Sequence, residues 1–148
     1  MPRASGPSNL GDERHWRYRA FGLSWLAYFG FYLCRKNFSV AMPLLKGDLG
    51  YSYAGLAKVV AGYSTLYAVG QFCSGVMSDH FGPRKVVGIG LFVVVAANLL
   101  MGFQASIIVL GILACINGAA QSTGWSGTVK VMACWFSRRE RGRVMAWW

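Results

Sequence analysis

The chain has 148 residues, 55% of them hydrophobic, and its 15 Lys and Arg against 5 Asp and Glu give a net charge of +10. The apolar residues fall in four stretches of membrane length, which argues against a soluble domain, and the cations stand between those stretches rather than in one patch, which argues against nucleic-acid binding. Four scattered cysteines without a CxxC pair and two isolated histidines leave no metal or disulfide framework, and no nucleophile–base pair or cofactor loop marks an enzyme.

Residues 1–19 are polar, with Pro2, Gly6 and Pro7, and read as a mostly disordered tail. The first span covers 20–45. Tyr28, Tyr32, Arg35 and Ser39 follow at i, i+4, i+7 and i+11, which is one helix face. Counted from Phe21 at ~1.5 Å per residue, Arg35 lies ~21 Å into a ~30 Å apolar core. A cation there costs at least ~2.5–3.5 kcal/mol unless it has a partner or a wet cavity. Two readings are open for Arg35 and Lys36: cations snorkelling from a helix end, or ligands for an anion. Apolar sequence continuing through Phe38–Leu45 favours the second.

The second span is expected over 53–77, with Tyr63, Tyr67, Gln71, Ser74 and Ser78 on one face. A tight loop ends in Gly82-Pro83, a turn followed by a helix start. The third span, 85–103, is apolar all round except for Asn98 and should face lipid. The fourth, 107–135, carries Asn117, Gln121, Gly124 and Thr128 on one face, with Trp125 at its edge. Three polar stripes can line a hydrated cavity, although single residues such as Ser74 or Asn117 more often bond across helix interfaces. Glycines at 62, 70, 75, 111, 118, 124 and 127 permit close packing. A basic loop follows, and a fifth span begins near residue 144.

Ten Lys and Arg lie in the tail, the 78–85 loop and the 136–143 loop, whereas the other two loops hold only Lys46. The tail and the basic loops are therefore expected in the cytoplasm, with odd spans running outward.

The junction Gly75-Val-Met-Ser-Asp79-His80-Phe81-Gly82-Pro83-Arg84-Lys85 resembles the signature of the major facilitator superfamily, G-x-x-x-D-(R/K)-x-G-x-(R/K)-(R/K). His80 and Pro83 depart from it. Read physically, Gly75 lets helices approach, Asp79 ends a helix opposite cations, Gly82 makes the turn, and Arg84 and Lys85 stay among the headgroups. Tyr32-Leu-Cys-Arg35-Lys36-Asn37-Phe38, followed by Ala41-Met42-Pro43, is similar to an element of the organophosphate:phosphate antiporter family. Further likeness lies in Tyr67–Phe72, Gly124-Trp125 and Trp135–Gly142, and overall it covers about Tyr28–Trp148.

The resemblance implies an all-α integral membrane fold of twelve helices in two halves, of which this chain would be a partial N-terminal half. It implies a phosphate-binding role for Arg35 and cavity-lining roles for Tyr28, Tyr32, Lys36 and Tyr67. Gln71 stands at the position of a family lysine and removes a cation. Gln121 and Trp125 would shape the organic part of the ligand, and Gly75, Asp79, Gly82, Arg84 and Lys85 would form the gate. The implied activity is secondary transport of a phosphorylated organic anion such as glycerol-3-phosphate or a sugar phosphate, by exchange with inorganic phosphate and without a cofactor. The implied setting is a bacterial inner membrane, with the N-terminus cytoplasmic and the whole protein a monomer. A membrane sensor of sugar phosphates, or a transporter of another organic anion, would use the same pocket.

Overall fold

The computed structural model describes residues 10–148, with side chains from residue 14 onward. Residues 1–9 of the expected tail, Arg3 among them, lie outside the described residues. Five helices follow one another: α1 Leu10–Leu49, α2 Tyr53–Phe81, α3 Pro83–Gly102, α4 Ile107–Trp135 and α5 Arg138–Trp147. Among the described residues there is no strand. α3 and α4 are long and apolar enough to cross a membrane. α1, at 40 residues, is longer than either and α2, at 29, is as long as α4, but polar stripes interrupt their apolar character.

The helix ends differ from expectation in ways that local chemistry explains. α1 begins ten residues before the apolar run, so the second half of the tail is helical rather than disordered. It also runs through Pro43. Gly82 alone separates α2 from α3, at φ 83° and ψ 144°, a conformation open to glycine and strained for any other residue. Pro83 then opens α3, where its missing N–H costs nothing. α5 begins at Arg138, within the basic stretch read as a loop, because Ser137 and Glu140 form a capping box. The Glu140 carboxylate accepts from the Ser137 hydroxyl at 2.9 Å and from its amide at 3.4 Å. Those bonds hold the carboxyl below its ordinary range.

α4 is the central helix and packs against α2, α3 and α1. Its small residues make that possible. A Cβ at Gly118 would collide with the backbone of Tyr63 on α2, and one at Gly124 would stand 2.9 Å from the buried Phe31 ring of α1. In lipid the tails are as apolar as Phe31, so this fit stabilises through close dispersion contact rather than through water exclusion. α3 is not wholly lipid-facing as expected. It buries Val86, Val87, Gly90, Val94 and Ala97 along one stripe and leaves its other faces open. Phe31, Val87 and Val94 form the core between α1 and α3.

The two ends of the bundle differ in charge. At one end Trp16 and Arg19 of α1 share a hollow with Arg84 of α3 and Trp135 of α4, and Arg17 pairs with Glu140 of α5 at 3.7 Å. At the other, the Tyr51 hydroxyl donates to the Ala105 carbonyl, and Lys46 lies 3.7 Å from the Tyr53 ring centre.

Candidate functional site

Helical spacing on α1 aims Tyr32 and Arg35 the same way, and α2 meets them with Tyr67. The Arg35 guanidinium lies 4.8 Å from the Tyr67 ring centre and 5.9 Å from that of Tyr32. It is held by two π faces, an arrangement that fits a planar delocalised cation better than an ammonium. Tyr63 stacks beside Tyr67 with 6.3 Å between ring centres.

Beyond Arg35 along α1 lies a cavity of about 150 Å³, lined by residues of α1, α2, α3 and α4. α1 contributes Arg35, Lys36 and Ser39, α2 contributes Tyr63 and Ser64, and α4 contributes Asn117. The Tyr63 hydroxyl and the Asn117 Oδ1 are buried there without a hydrogen-bond partner. Water cannot reach such atoms from hydrocarbon, and each one left unpaired costs several kcal/mol. Among the described residues the ion pairs are Arg17–Glu140 and Asp79–Lys130, so neither Arg35 nor Lys36 has a described carboxylate partner. The cavity therefore presents two cations, hydroxyls and an amide oxygen, a set that matches an oxyanion carrying hydroxyl groups.

On the other side of Arg35 the polar stripe becomes an aromatic cluster. The Tyr28 ring centre lies 5.1 Å from Tyr32, 5.9 Å from Trp125 and 4.8 Å from Trp148. The stripe read as one continuous surface is thus divided: Arg35 sits at the seam, with flat aromatic walls behind and the polar hollow ahead. Trp125 belongs to the aromatic side.

Other candidates lie elsewhere. Gln121 is buried, and its Nε2 donates to the Phe31 carbonyl at 3.0 Å, tying α4 to α1. Gln71 is half-buried, one turn along from Tyr67 and outside the cavity wall. Ser74 bonds to Ser126 at 2.8 Å within the α2–α4 seam. Residue type and stripe position could not separate Ser74 from Asn117, because which way a stripe turns depends on the crossing of two helices.

In the signature loop, Asp79 forms an ion pair with Lys130 on α4, not with Arg84 or Lys85, which are exposed. Lys130 was not singled out in the sequence, where it is a lone cation inside the apolar run of α4. A Cβ at Gly75 would meet nothing on α1–α5, so these helices give no close approach there.

A family model described as Major Facilitator Superfamily matches residues 24–148. The chain is 36% identical over 135 residues to a probable hexose phosphate transport protein of Chlamydia trachomatis, covering 91% of this chain and 29% of the relative. It is 36% identical over 136 residues to the glycerol-3-phosphate transporter of Bacillus subtilis, covering 89% and 30%. It is 35% identical over 137 residues to the membrane sensor protein UhpC of Escherichia coli, covering 91% and 30%. The chain thus spans less than a third of the length of these relatives. No solved structure matches it.

Proposed function

This chain belongs to the Major Facilitator Superfamily, and we propose that it forms one wall of the anion cavity in an integral membrane transporter of a phosphorylated organic anion. Glycerol-3-phosphate or a sugar phosphate is the substrate class, exchanged for inorganic phosphate. The setting is a bacterial inner membrane with the N-terminus cytoplasmic, and the whole protein acts as a monomer. One observation carries the reading: a half-buried guanidinium, braced by two tyrosines, faces a hollow with unpaired polar atoms and no described acid. Its counter-charge must come from a ligand or from another part of the protein. A phosphate accepts both prongs of Arg35, and Lys36 at the same hollow adds charge. Tyr63 and Asn117 join the site, while Tyr28, Tyr32 and Trp125 give a flat wall for the carbon skeleton. The names of the relatives point to the same substrate class. Alternating access would follow from rocking of the cavity walls about the bound anion, with Asp79 and Lys130 as a latch between α2 and α4.

The test is binding of a phosphate ester and of its dephosphorylated analogue to the whole protein. Arg35→Lys keeps the charge but loses the fork, and is expected to weaken the ester by more than tenfold, roughly 1.4 kcal/mol, with membrane insertion intact. Lys36→Gln should do less. Normal ester binding by Arg35→Lys, or wild-type binding that ignores the phosphate, would overturn the reading.

The sensor relative is as similar as the transporters, which favours a second reading in which the same pocket reports a sugar phosphate to a partner protein. Uptake into vesicles by the whole protein separates the two.

A further inference from the structure

A second hollow, of about 530 Å³, lies away from the anion cavity, between the first turns of the described part of α1 and the whole of α5. Arg14, Arg17, Tyr18 and Phe21 fall at i, i+3, i+4 and i+7 on one face of α1. Facing them, Arg139, Arg143 and Trp147 repeat every fourth residue on α5. Four arginines thus line one space with a single carboxylate, Glu140, on its wall. That carboxylate is committed to Ser137 and to Arg17. Neighbouring Arg141 is used differently: it donates to the Ala133 carbonyl at 2.6 Å and closes the end of α4. The arginines of the hollow are therefore not there merely to finish a helix.

The floor is of another character. Phe21, Phe136 and Val144 are half-buried and apolar, and Tyr18 and Trp147 stand at the edges, 71% and 83% exposed. Amphipathic rings of this kind settle at the headgroup level of a bilayer. A soluble anion would use the arginines and leave the floor and rim bare. An anionic phospholipid would use all three, since basic pockets at the ends of membrane helices suit phosphate headgroups, and guanidinium forks fit phosphate oxygens.

We propose that the hollow between α1 and α5 is a binding site for the phosphate headgroup of an anionic phospholipid, which bridges the two helices at the basic end of the bundle. The site is independent of the transported anion. An occupant would neutralise repulsion among Arg14, Arg139 and Arg143 and hold α5 against α1, on the side where the Arg17–Glu140 pair already joins them.

The test uses the whole protein in nanodiscs of phosphatidylcholine containing a minor fraction of phosphatidylglycerol, with retained lipid read by native mass spectrometry. Wild type is expected to retain phosphatidylglycerol selectively. Arg139→Gln with Arg143→Gln should cut that retention about thirtyfold, from the typical worth of two cations near an anionic leaflet. Arg138→Gln removes one exposed cation outside the hollow and should change retention by no more than about fivefold. Should the glutamine pair fail to fold, lysine at both positions keeps the charge, and retention should still fall because the forks are lost. Equal retention in wild type and the double variants would overturn the proposal. So would displacement of the lipid by soluble glycerol phosphate, which would mark a free-anion site instead.

Discussion

Arg35 is held on two aromatic faces, at 4.8 and 5.9 Å from the ring centres of Tyr67 and Tyr32, so its position is set before any ligand arrives. Lysine is therefore expected to be a poor replacement despite equal charge. Asn117 makes a sharper test, because its Oδ1 is buried without a partner. Were it merely structural, Asn117→Leu would leave stability unchanged or raise it by ~1–3 kcal/mol, since a lone buried acceptor is replaced by apolar surface. If it reads a hydroxyl of the ligand, the same change should weaken a polyol phosphate by about tenfold while sparing inorganic phosphate. Thermal unfolding and ligand titration on one variant separate the two. That Arg35 stands beside tyrosines was legible in the sequence, because an intramembrane cation on a tyrosine stripe is conspicuous in one dimension. Asn117 was not. Its Oδ1 stands out through what it fails to touch, and that depends on where α2 and α4 cross.

At the level of helices, α4 covers the fourth apolar stretch, and the Gly82-Pro83 turn stands as the break between α2 and α3. The start of α5 was harder, because four arginines in six residues read as a loop. The Ser137–Glu140 spacing that nucleates the helix was present but outweighed. The link between α2 and α4 was invisible for a different reason: nothing in the sequence joins Asp79 to Lys130 across fifty residues. Both members of that pair are partly exposed, at 62% and 34%, so it contributes ~0–1 kcal/mol to stability. A contact that weak serves better as a latch than as a brace. Asp79→Asn is accordingly expected to change the rate of exchange between open and closed forms by more than it changes ligand affinity. Transport rate and equilibrium binding in the whole protein check this. A large affinity loss with unchanged turnover per bound ligand would contradict it.

Over the whole bundle, the basic helix ends gather on one side and the sparsely charged turns on the other. Single cysteines at Ser137 and Gln104 are therefore expected to react from opposite faces of the membrane, Ser137 only from the cytoplasm. Labelling of Ser137 from outside would invert the topology. The unpaired cations of the central cavity have a consequence of their own, which is electrical. With Arg35 and Lys36 lacking a described carboxylate, this wall of the cavity carries positive charge that a dianionic phosphate would cancel. Moving one uncompensated charge against a 100 mV field costs ~2.3 kcal/mol, and desolvation adds a cost in either direction. A loaded carrier would be close to neutral and would reorient readily, whereas an unloaded one would stall. One-for-one exchange would then need no dedicated coupling device, since the cargo itself supplies the missing charge. Vesicles filled with phosphate ester should release it quickly when phosphate is present outside and slowly when it is absent, and equal release in both cases would show that the empty cavity finds its counter-charge elsewhere in the protein.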